Sequence, residues 1–299
     1  MDKIKTINYG EKMKKIAILT DSNAGILPEE VEDKDIFVLP MPFIIDTKEY
    51  FENITLSQDQ FYEMIESGVD VSTSQPSISS VTDMWDKLLE EYETVLHIPM
   101  SSGLSSSCDT AKGLSQEYKG RVVVIDNQRI SVTLKQSILD AEKMINEGKS
   151  VEEIVTYLNE TKLDASIYIM VPTLKYLKKG GRITPAAAAI GTLLNIKPVL
   201  QIQGGKLEPY VKVMSVKQAI KAMISGAKND LETRFKGFVE SKKMKVYVAY
   251  SKDIELGNNL KAQVEKELNV VVEFVDPLSL SVASHIGPNA IAVAMSRSY

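Results

Sequence analysis

Two hydroxyl-rich loops are the first segments of this 299-residue chain whose residue types suggest chemistry. One is Thr73-Ser74-Gln75 and the other is Ser101-Ser102-Gly103, which follows an apolar strand and leads into a helix. Ligands of an open parallel sheet bind beyond the carboxyl ends of its strands, where helix N-termini offer unpaired N–H groups to an anion. The loops therefore favour an anion site, with capping and turn formation as the alternative role of these residue types.

The chain has two histidines, and one of them stands in a context that favours ligand binding. His97 alternates with apolar residues in a predicted strand, a pattern typical of packing. His285 lies in a predicted loop before Gly287 and Pro288, where it can donate a hydrogen bond to a bound anion. A serine hydrolase would need a histidine aligned with a serine and a carboxylate, and His285 is the base available for that role.

Arg182 stands in a glycine-flanked connection between two predicted helices, directly after the cationic pair Lys178 and Lys179. Such a connection lies at the protein surface. The helix predicted over residues 186–194 begins with four alanines, so its first turns carry little side-chain bulk. Two interpretations of that helix stay open: either a neighbouring element packs closely against its backbone, or a slim apolar ligand does.

The motifs of nucleotide, metal and hydrolase chemistry are absent from the sequence. There is no G-x-x-x-x-G-K-[ST] loop, no dinucleotide fingerprint, no Cys/His cluster with metal spacing and no G-x-S-x-G elbow. We therefore expect no catalytic residue, no metal and no cofactor. What the chain offers instead is a set of anion-holding groups and apolar surface, which indicates a binding protein.

Composition and charge narrow the class of protein further. The net charge of −5 argues against a general nucleic-acid binder. A single cysteine, Cys108, fits a reducing cytoplasm. No apolar run reaches the roughly 18 residues of a membrane span, and the N-terminus lacks the apolar core of a signal peptide. The sequence therefore predicts a soluble cytoplasmic protein with at most transient membrane contact.

Predicted strands and helices alternate over residues 14–160, which favours a mostly parallel sheet flanked by helices. The second half has hairpins and long helices, one of them predicted over residues 215–238, and is typical of an α+β domain. The sequence therefore predicts an α/β fold with two domains, residues 14–160 and residues 161–299. One helix is predicted to carry a core stripe at helical spacing, formed by Met84, Trp85, Leu88, Leu89 and Tyr92.

Five segments resemble the DegV family of bacterial fatty-acid-binding proteins, which includes the binding subunit of fatty acid kinase. In chain order they are KIAILTDSNAGI, STSQPS, SSGLS, LKKGGRITPAAAAIGTLLNIKPVL and HIGPNAIAV. The resemblance covers roughly residues 14–295. It implies a DegV-like fold in which an N-terminal α/β domain and a C-terminal α+β domain enclose a long-chain fatty acid in a tunnel.

The same resemblance implies roles for individual residues. Thr73, Ser74 and Ser102 would hold the acyl carboxylate, His285 would lie nearby, and Arg182 would face a kinase subunit. That separate subunit would use ATP to phosphorylate the bound acid, and the acyl phosphate would then enter phospholipid synthesis.

The chain departs from the family pattern at two positions. It reads SSGLSSSC where SSGLSGTY is usual, so Ser106 replaces a glycine that can take a positive φ. Asn289 stands where another glycine is common, and asparagine tolerates the left-handed conformation better than most residues. Both departures leave the predicted head-group residues in place.

Two other functions stay open from the sequence. The first is an enzyme, or a substrate-holding subunit, of a system like dihydroxyacetone kinase, in which His285 would hold a small carbonyl compound. A lipid-sensing regulatory module is the second alternative. A fatty acid found on the purified protein, and its turnover by a kinase, distinguish these functions from a fatty-acid carrier.

Overall fold

The computed structural model describes residues 14–182 and 196–299, and the described strands form three sheets. The first sheet is built from β1 (Lys14–Asp21), β2 (Ile36–Leu39), β6 (Tyr92–His97) and β7 (Val122–Val124). All of its neighbouring strands run parallel, in the order β2-β1-β6-β7. Strand β1 is buried from Ile16 to Thr20, as expected for a parallel sheet covered on both faces.

The helices of the first half alternate with these strands. They are α1 (Gln58–Glu66), α2 (Ile78–Leu88), α3 (Ser107–Ser115), α4 (Ser131–Asn146) and α5 (Val151–Glu160). Two of them begin at capping boxes that are readable in the sequence: Ser57 pairs with Gln60, and Ser150 pairs with Glu153. A small antiparallel sheet, β4-β3-β5, lies beside them and consists of β3 (Pro42–Ile45), β4 (Lys48–Phe51) and β5 (Val71–Thr73).

The second half contributes a six-stranded mixed sheet in the order β10-β9-β8-β13-β11-β12. Its strands are β8 (Ala165–Met170), β9 (Lys197–Ile202), β10 (Leu207–Val213), β11 (Met244–Tyr250), β12 (Val272–Pro277) and β13 (Ile291–Arg297). Its described helices are α6 (Lys175–Gly180), α7 (Val216–Glu232), α8 (Lys236–Glu240), α9 (Ile254–Leu268) and α10 (Leu280–Ile286). The predicted α/β fold, with a helix-flanked parallel sheet and a second α+β half, is confirmed.

Helix α4 joins the two halves through apolar packing. It contacts β1 of the parallel sheet and also β11 and β13 of the mixed sheet. One continuous apolar cluster includes Ile18 on β1, Leu134 on α4 and Ala292 on β13. The predicted domain boundary, between residues 160 and 161, falls between α5 and β8, and the division into two domains stays a prediction.

Three sequence predictions about elements are wrong. Tyr92 is buried as expected, but it begins β6, since α2 ends at Leu88. The helix predicted over residues 215–238 ends at Glu232, because Thr233 leaves the helical conformation at φ −120 and ψ −83. His285 belongs to α10 and not to a loop. The helix predicted over residues 186–194 lies outside the described residues.

No helix in the described ranges is both long and apolar enough to cross a membrane.

Candidate functional site

A cavity lies between the loops of the parallel sheet and the inner face of the mixed sheet. The space in this cavity and its opening to solvent amounts to about 1070 Å³. Its wall is mostly apolar and includes side chains from both halves of the chain, among them Met100, Ile130, Ile167, Ile169, Ala249, Ala292 and Ala294. An enclosed apolar space of this kind suits a ligand with a large hydrophobic part.

Several polar residues of the lining mark the open end of the cavity. Ser74, Ser106 and Arg182 line the cavity and are exposed to solvent, so they mark its mouth. Thr73 and His285 lie beside them and are half-buried. Within residues 14–182 and 196–299, Arg182 is the charged residue of the lining. The arrangement combines hydroxyl donors and one cation at the mouth with an apolar interior.

Thr73 and His285 form the central hydrogen bond of the mouth. Thr73 ends β5, His285 lies in the last turn of α10, and the Oγ1 and Nε2 atoms are 2.8 Å apart. Burial, and secondarily the charge of Arg182, lowers the pKa of His285 from 6.5 to about 4. The imidazole is therefore neutral at neutral pH. In the tautomer that donates from Nε2 to Oγ1, the Thr73 hydroxyl is free to donate to a ligand oxygen.

Gly180 places Arg182 next to this pair. The guanidinium of Arg182 donates from Nη1 to the carbonyl oxygen of Gly180 at 2.6 Å. A Cβ atom added at Gly180 would overlap the imidazole ring of His285 at Nδ1. The close approach of α6 to α10 thus needs a residue without a side chain at this position. Gly180 brings the cation at the mouth and the half-buried histidine into one cluster.

Ser102 is the predicted head-group residue that the structure does not bring to the cavity. Its hydroxyl donates to Asp126 Oδ2 at 2.6 Å, and its backbone N–H donates to Asp126 Oδ1 at 3.2 Å. Ser105 and Ser106 of the same loop line the cavity instead. Ser74 is at the mouth, although its hydroxyl donates to the carbonyl oxygen of Gln75 at 2.9 Å.

The two positions that depart from the family pattern, Ser106 and Asn289, have different backbone conformations. Ser106 precedes α3 with φ −72, so this loop does not use the positive φ that a glycine would permit. Asn289 takes φ 60, the left-handed conformation expected there. The Ser106 hydroxyl also donates to Gln75 Oε1 at 3.2 Å, which connects the second hydroxyl-rich loop to the first. Thr110 of α3 donates to the same oxygen at 3.0 Å.

Sequence reasoning missed two residues of the lining, the buried serines Ser131 and Ser281, and did not predict that Gln75 links the two loops. Gln75 belongs to the first loop, but its hydrogen-bond partners Ser106 and Thr110 are distant in sequence.

His97, the other histidine, is fully buried against Trp85, with 5.7 Å between the ring centroids. Neither of its ring nitrogens has a hydrogen-bond partner among the described residues. Burial lowers the pKa of His97 to about 3.

The fold and this site define an α/β protein of two main sheets with an apolar cavity and a polar, solvent-open mouth. Residues 15–298 match the model of the DegV family, described as uncharacterised proteins of that family. The chain belongs to the DegV family.

Relatives and solved structures agree with this assignment. A DegV domain-containing protein of Clostridium acetobutylicum is 31% identical over 287 residues, which cover 95% of this chain and 99% of the relative. The structure of a stearic-acid-binding protein from Eubacterium ventriosum is 26% identical, covers 96% of this chain and 99% of that one, and gives a TM-score of 0.86. A fatty-acid-binding DegV family protein from Thermus thermophilus is 27% identical, with coverages of 95% and 99% and a TM-score of 0.83.

Proposed function

We propose that this chain binds one long-chain fatty acid, with the acyl tail in the cavity and the carboxylate at the mouth. The observation that carries the proposal is the mostly apolar cavity whose open end is marked by exposed hydroxyl groups and an arginine. The solved structures of similar chains that are described as fatty-acid-binding and stearic-acid-binding support the same ligand class. The proposed carrier needs no cofactor and no metal.

The tail would supply most of the affinity. Burial of a methylene group is worth about 0.8 kcal/mol, so fifteen or so methylenes give on the order of 12 kcal/mol before the costs of association. The mouth then sets the orientation of the acid. Thr73 would donate to the carboxylate, and a donor of this kind favours its ionised form.

We further propose that the chain presents its bound acid to a separate ATP-dependent fatty acid kinase in the cytoplasm. An exposed mouth leaves the carboxylate within reach of another protein, and Arg182 at its rim is the residue proposed to contact the kinase. The sequence has no phosphate-binding loop of its own, which favours a role as the non-catalytic subunit. The acyl phosphate would then serve phospholipid synthesis.

Ser74 and Ser102 remain proposed contributors to head-group binding in different ways. Ser74 is exposed at the mouth and can turn its hydroxyl towards a carboxylate. Ser102 would act indirectly, because its bonds to Asp126 fix the loop that carries Ser105 and Ser106. The mostly apolar lining of the cavity argues against a subunit that holds a small carbonyl compound.

The head-group assignment predicts that Thr73→Val weakens binding of stearic acid about tenfold and leaves binding of its methyl ester nearly unchanged. Valine keeps the shape of threonine but removes the donor to a charged group, worth about 1.5 kcal/mol or more. The measurement is titration of delipidated protein with both ligands. Thr82→Val on α2 is the matched control, since its hydroxyl donates to the carbonyl oxygen of Ile78 away from the cavity. Equal losses for acid and ester would refute a carboxylate contact.

The partner assignment predicts that Arg182→Ala retains its fatty acid and forms acyl phosphate at least tenfold more slowly with kinase and ATP. Arginine is enriched at interface hot spots, where truncation costs about 2 kcal/mol or more. Lys178→Ala, on the exposed face of α6, is the matched control. The assay is acyl-phosphate formation, paired with fatty-acid exchange on the same samples. Loss of the lipid in this variant would show that Arg182 belongs to the binding site. Normal turnover would show that the kinase contacts a different surface.

A further inference from the structure

Gln75 lies where the two hydroxyl-rich loops meet. It follows Thr73 by two residues, lines the cavity and is half-buried. Its Oε1 atom accepts hydrogen bonds from the hydroxyl groups of Ser106, at 3.2 Å, and Thr110, at 3.0 Å. Ser106 is exposed at the mouth of the cavity. The bond to Ser106 therefore places the amide end of the Gln75 side chain at the mouth and not deeper in the cavity.

These two hydrogen bonds fix the orientation of the Gln75 amide. A carbonyl oxygen has two lone pairs, and the hydroxyl groups of Ser106 and Thr110 use both of them. The Nε2 atom then faces away from these hydroxyl groups and carries two N–H donors. Neither donor has a hydrogen-bond partner in residues 14–182 and 196–299. Gln75 thus offers donors at the mouth that no described protein group uses.

A fatty-acid carboxylate can use such donors. It accepts hydrogen bonds at both of its oxygens, and Thr73 supplies one hydroxyl donor. The hydroxyl group of Ser74 is already bonded to the backbone carbonyl oxygen of Gln75 at 2.9 Å. An amide N–H group two residues from Thr73 is suited to the second oxygen. Hydrogen bonds to an ionised acceptor are about twice as strong as bonds between neutral groups, so these donors favour an acid over a neutral head group.

We infer that Gln75 is a further head-group residue, whose amide N–H group donates to the carboxylate and selects an acid over an alcohol of the same chain length. The inference rests on the proposed fatty-acid binding and adds a residue that determines the specificity for the head group. The two ends of the amide have separate roles. The oxygen joins the two loops through Ser106 and Thr110, and this bonding holds the nitrogen in position for the ligand.

Gln75→Glu tests the role of the nitrogen, because it keeps an oxygen that can accept from Ser106 and Thr110 and replaces the donor by a second carboxylate oxygen. The measurement is the ratio of the Kd for stearyl alcohol to the Kd for stearic acid, on delipidated protein at neutral pH. Wild type should bind the acid about tenfold more tightly than the alcohol. In Gln75→Glu the ratio should fall about 100-fold or more, because two carboxylates repel each other whereas the alcohol can donate to the new one.

Two further variants separate this effect from charge and from folding. Gln218→Glu is the matched control: Gln218 is exposed on α7, its Oε1 atom accepts from the N–H group of Met214 at 2.9 Å, and it is not part of the cavity lining. It adds the same charge and should leave the ratio unchanged. Gln75→Met removes the donors without adding a charge and should lower the ratio about tenfold. It answers the question if Gln75→Glu does not fold.

The inference is wrong if wild type does not prefer the acid, or if the ratio is unchanged in the folded Gln75 variants. Equal losses of affinity for acid and alcohol would also contradict it, since a residue that only joins the two loops would give that result. A wild-type protein that binds neither ligand would refute the proposed function itself, which separates the two failures.

Discussion

Gly180→Ala is expected to weaken fatty-acid binding about 10- to 100-fold while the protein stays folded. The added Cβ atom would overlap the imidazole of His285, so the ring must leave its hydrogen bond with Thr73. Hydrogen bonds to charged groups are worth about 1.5–3 kcal/mol, which corresponds to the expected range in affinity.

A matched substitution separates this steric effect from the general effect of alanine in a helix. Gly113 lies within α3, and a Cβ atom added there meets nothing within 4 Å. Gly113→Ala should raise stability slightly, because alanine is favoured over glycine in helices by up to about 1 kcal/mol, and should leave binding unchanged. Binding and thermal unfolding are measured on both variants. Unchanged affinity in Gly180→Ala would show that the position of His285 does not matter for the ligand.

Ala292→Phe is expected to abolish binding of long-chain acids by filling the cavity from its wall. Ala292 on β13 stands in register with Ala249 of β11 and Ile169 of β8, and all three line the cavity. A phenyl ring would displace several methylene groups of the ligand. Each pair of displaced methylenes costs about 1.6 kcal/mol, or more than tenfold in affinity. Shorter acids should be retained better than stearic acid.

The stability of this variant provides its internal check. Because the ring enters space that is already empty, Ala292→Phe should unfold at the same temperature as delipidated wild type or higher. Val293→Leu is the control on the same strand, since Val293 points to the opposite face and packs in a separate apolar cluster. Stearic-acid affinity should be normal in that control. Undiminished binding of stearic acid by a folded Ala292→Phe protein would mean that the tail lies elsewhere.

Features that depend on residues close to each other in the sequence could be predicted from it. The capping boxes at Ser57 and Ser150 are local patterns, and both helices begin where these patterns indicate. The alternation of apolar strands with helices also predicted the parallel sheet of the first half. Asn289 is a further local case: its side chain tolerates a positive φ, and it takes φ 60.

The errors arise where tertiary packing decides the outcome. Gly287 and Pro288 are typical turn residues, so His285 was predicted in a loop. The seven-residue helix α10 forms there because Leu280 and Ala283 pack into the apolar cluster beneath the small sheet, and because α6 lies against it. Local propensity gives no sign of such contacts.

In the candidate site, too, local patterns could be predicted from the sequence and tertiary contacts could not. The hydroxyl loops and Arg182 were identified from residue types, and Thr73, Ser74, Arg182 and His285 meet at the cavity mouth. The direction of the Ser102 side chain was not predictable, because Asp126 lies 24 residues further along the chain. Ser131 and Ser281 were missed for a related reason, since their place in the cavity lining is visible only after folding.

The central claim is that the cavity holds a long-chain fatty acid, and its most direct test is the mass of the purified protein. Native and denatured spectra of the full chain, produced in lipid-containing cells, are compared and the organic extract is analysed. The proposed function predicts a native mass that exceeds the denatured mass by about one long-chain fatty acid per chain. Equal masses, with no fatty acid in the extract, would contradict it.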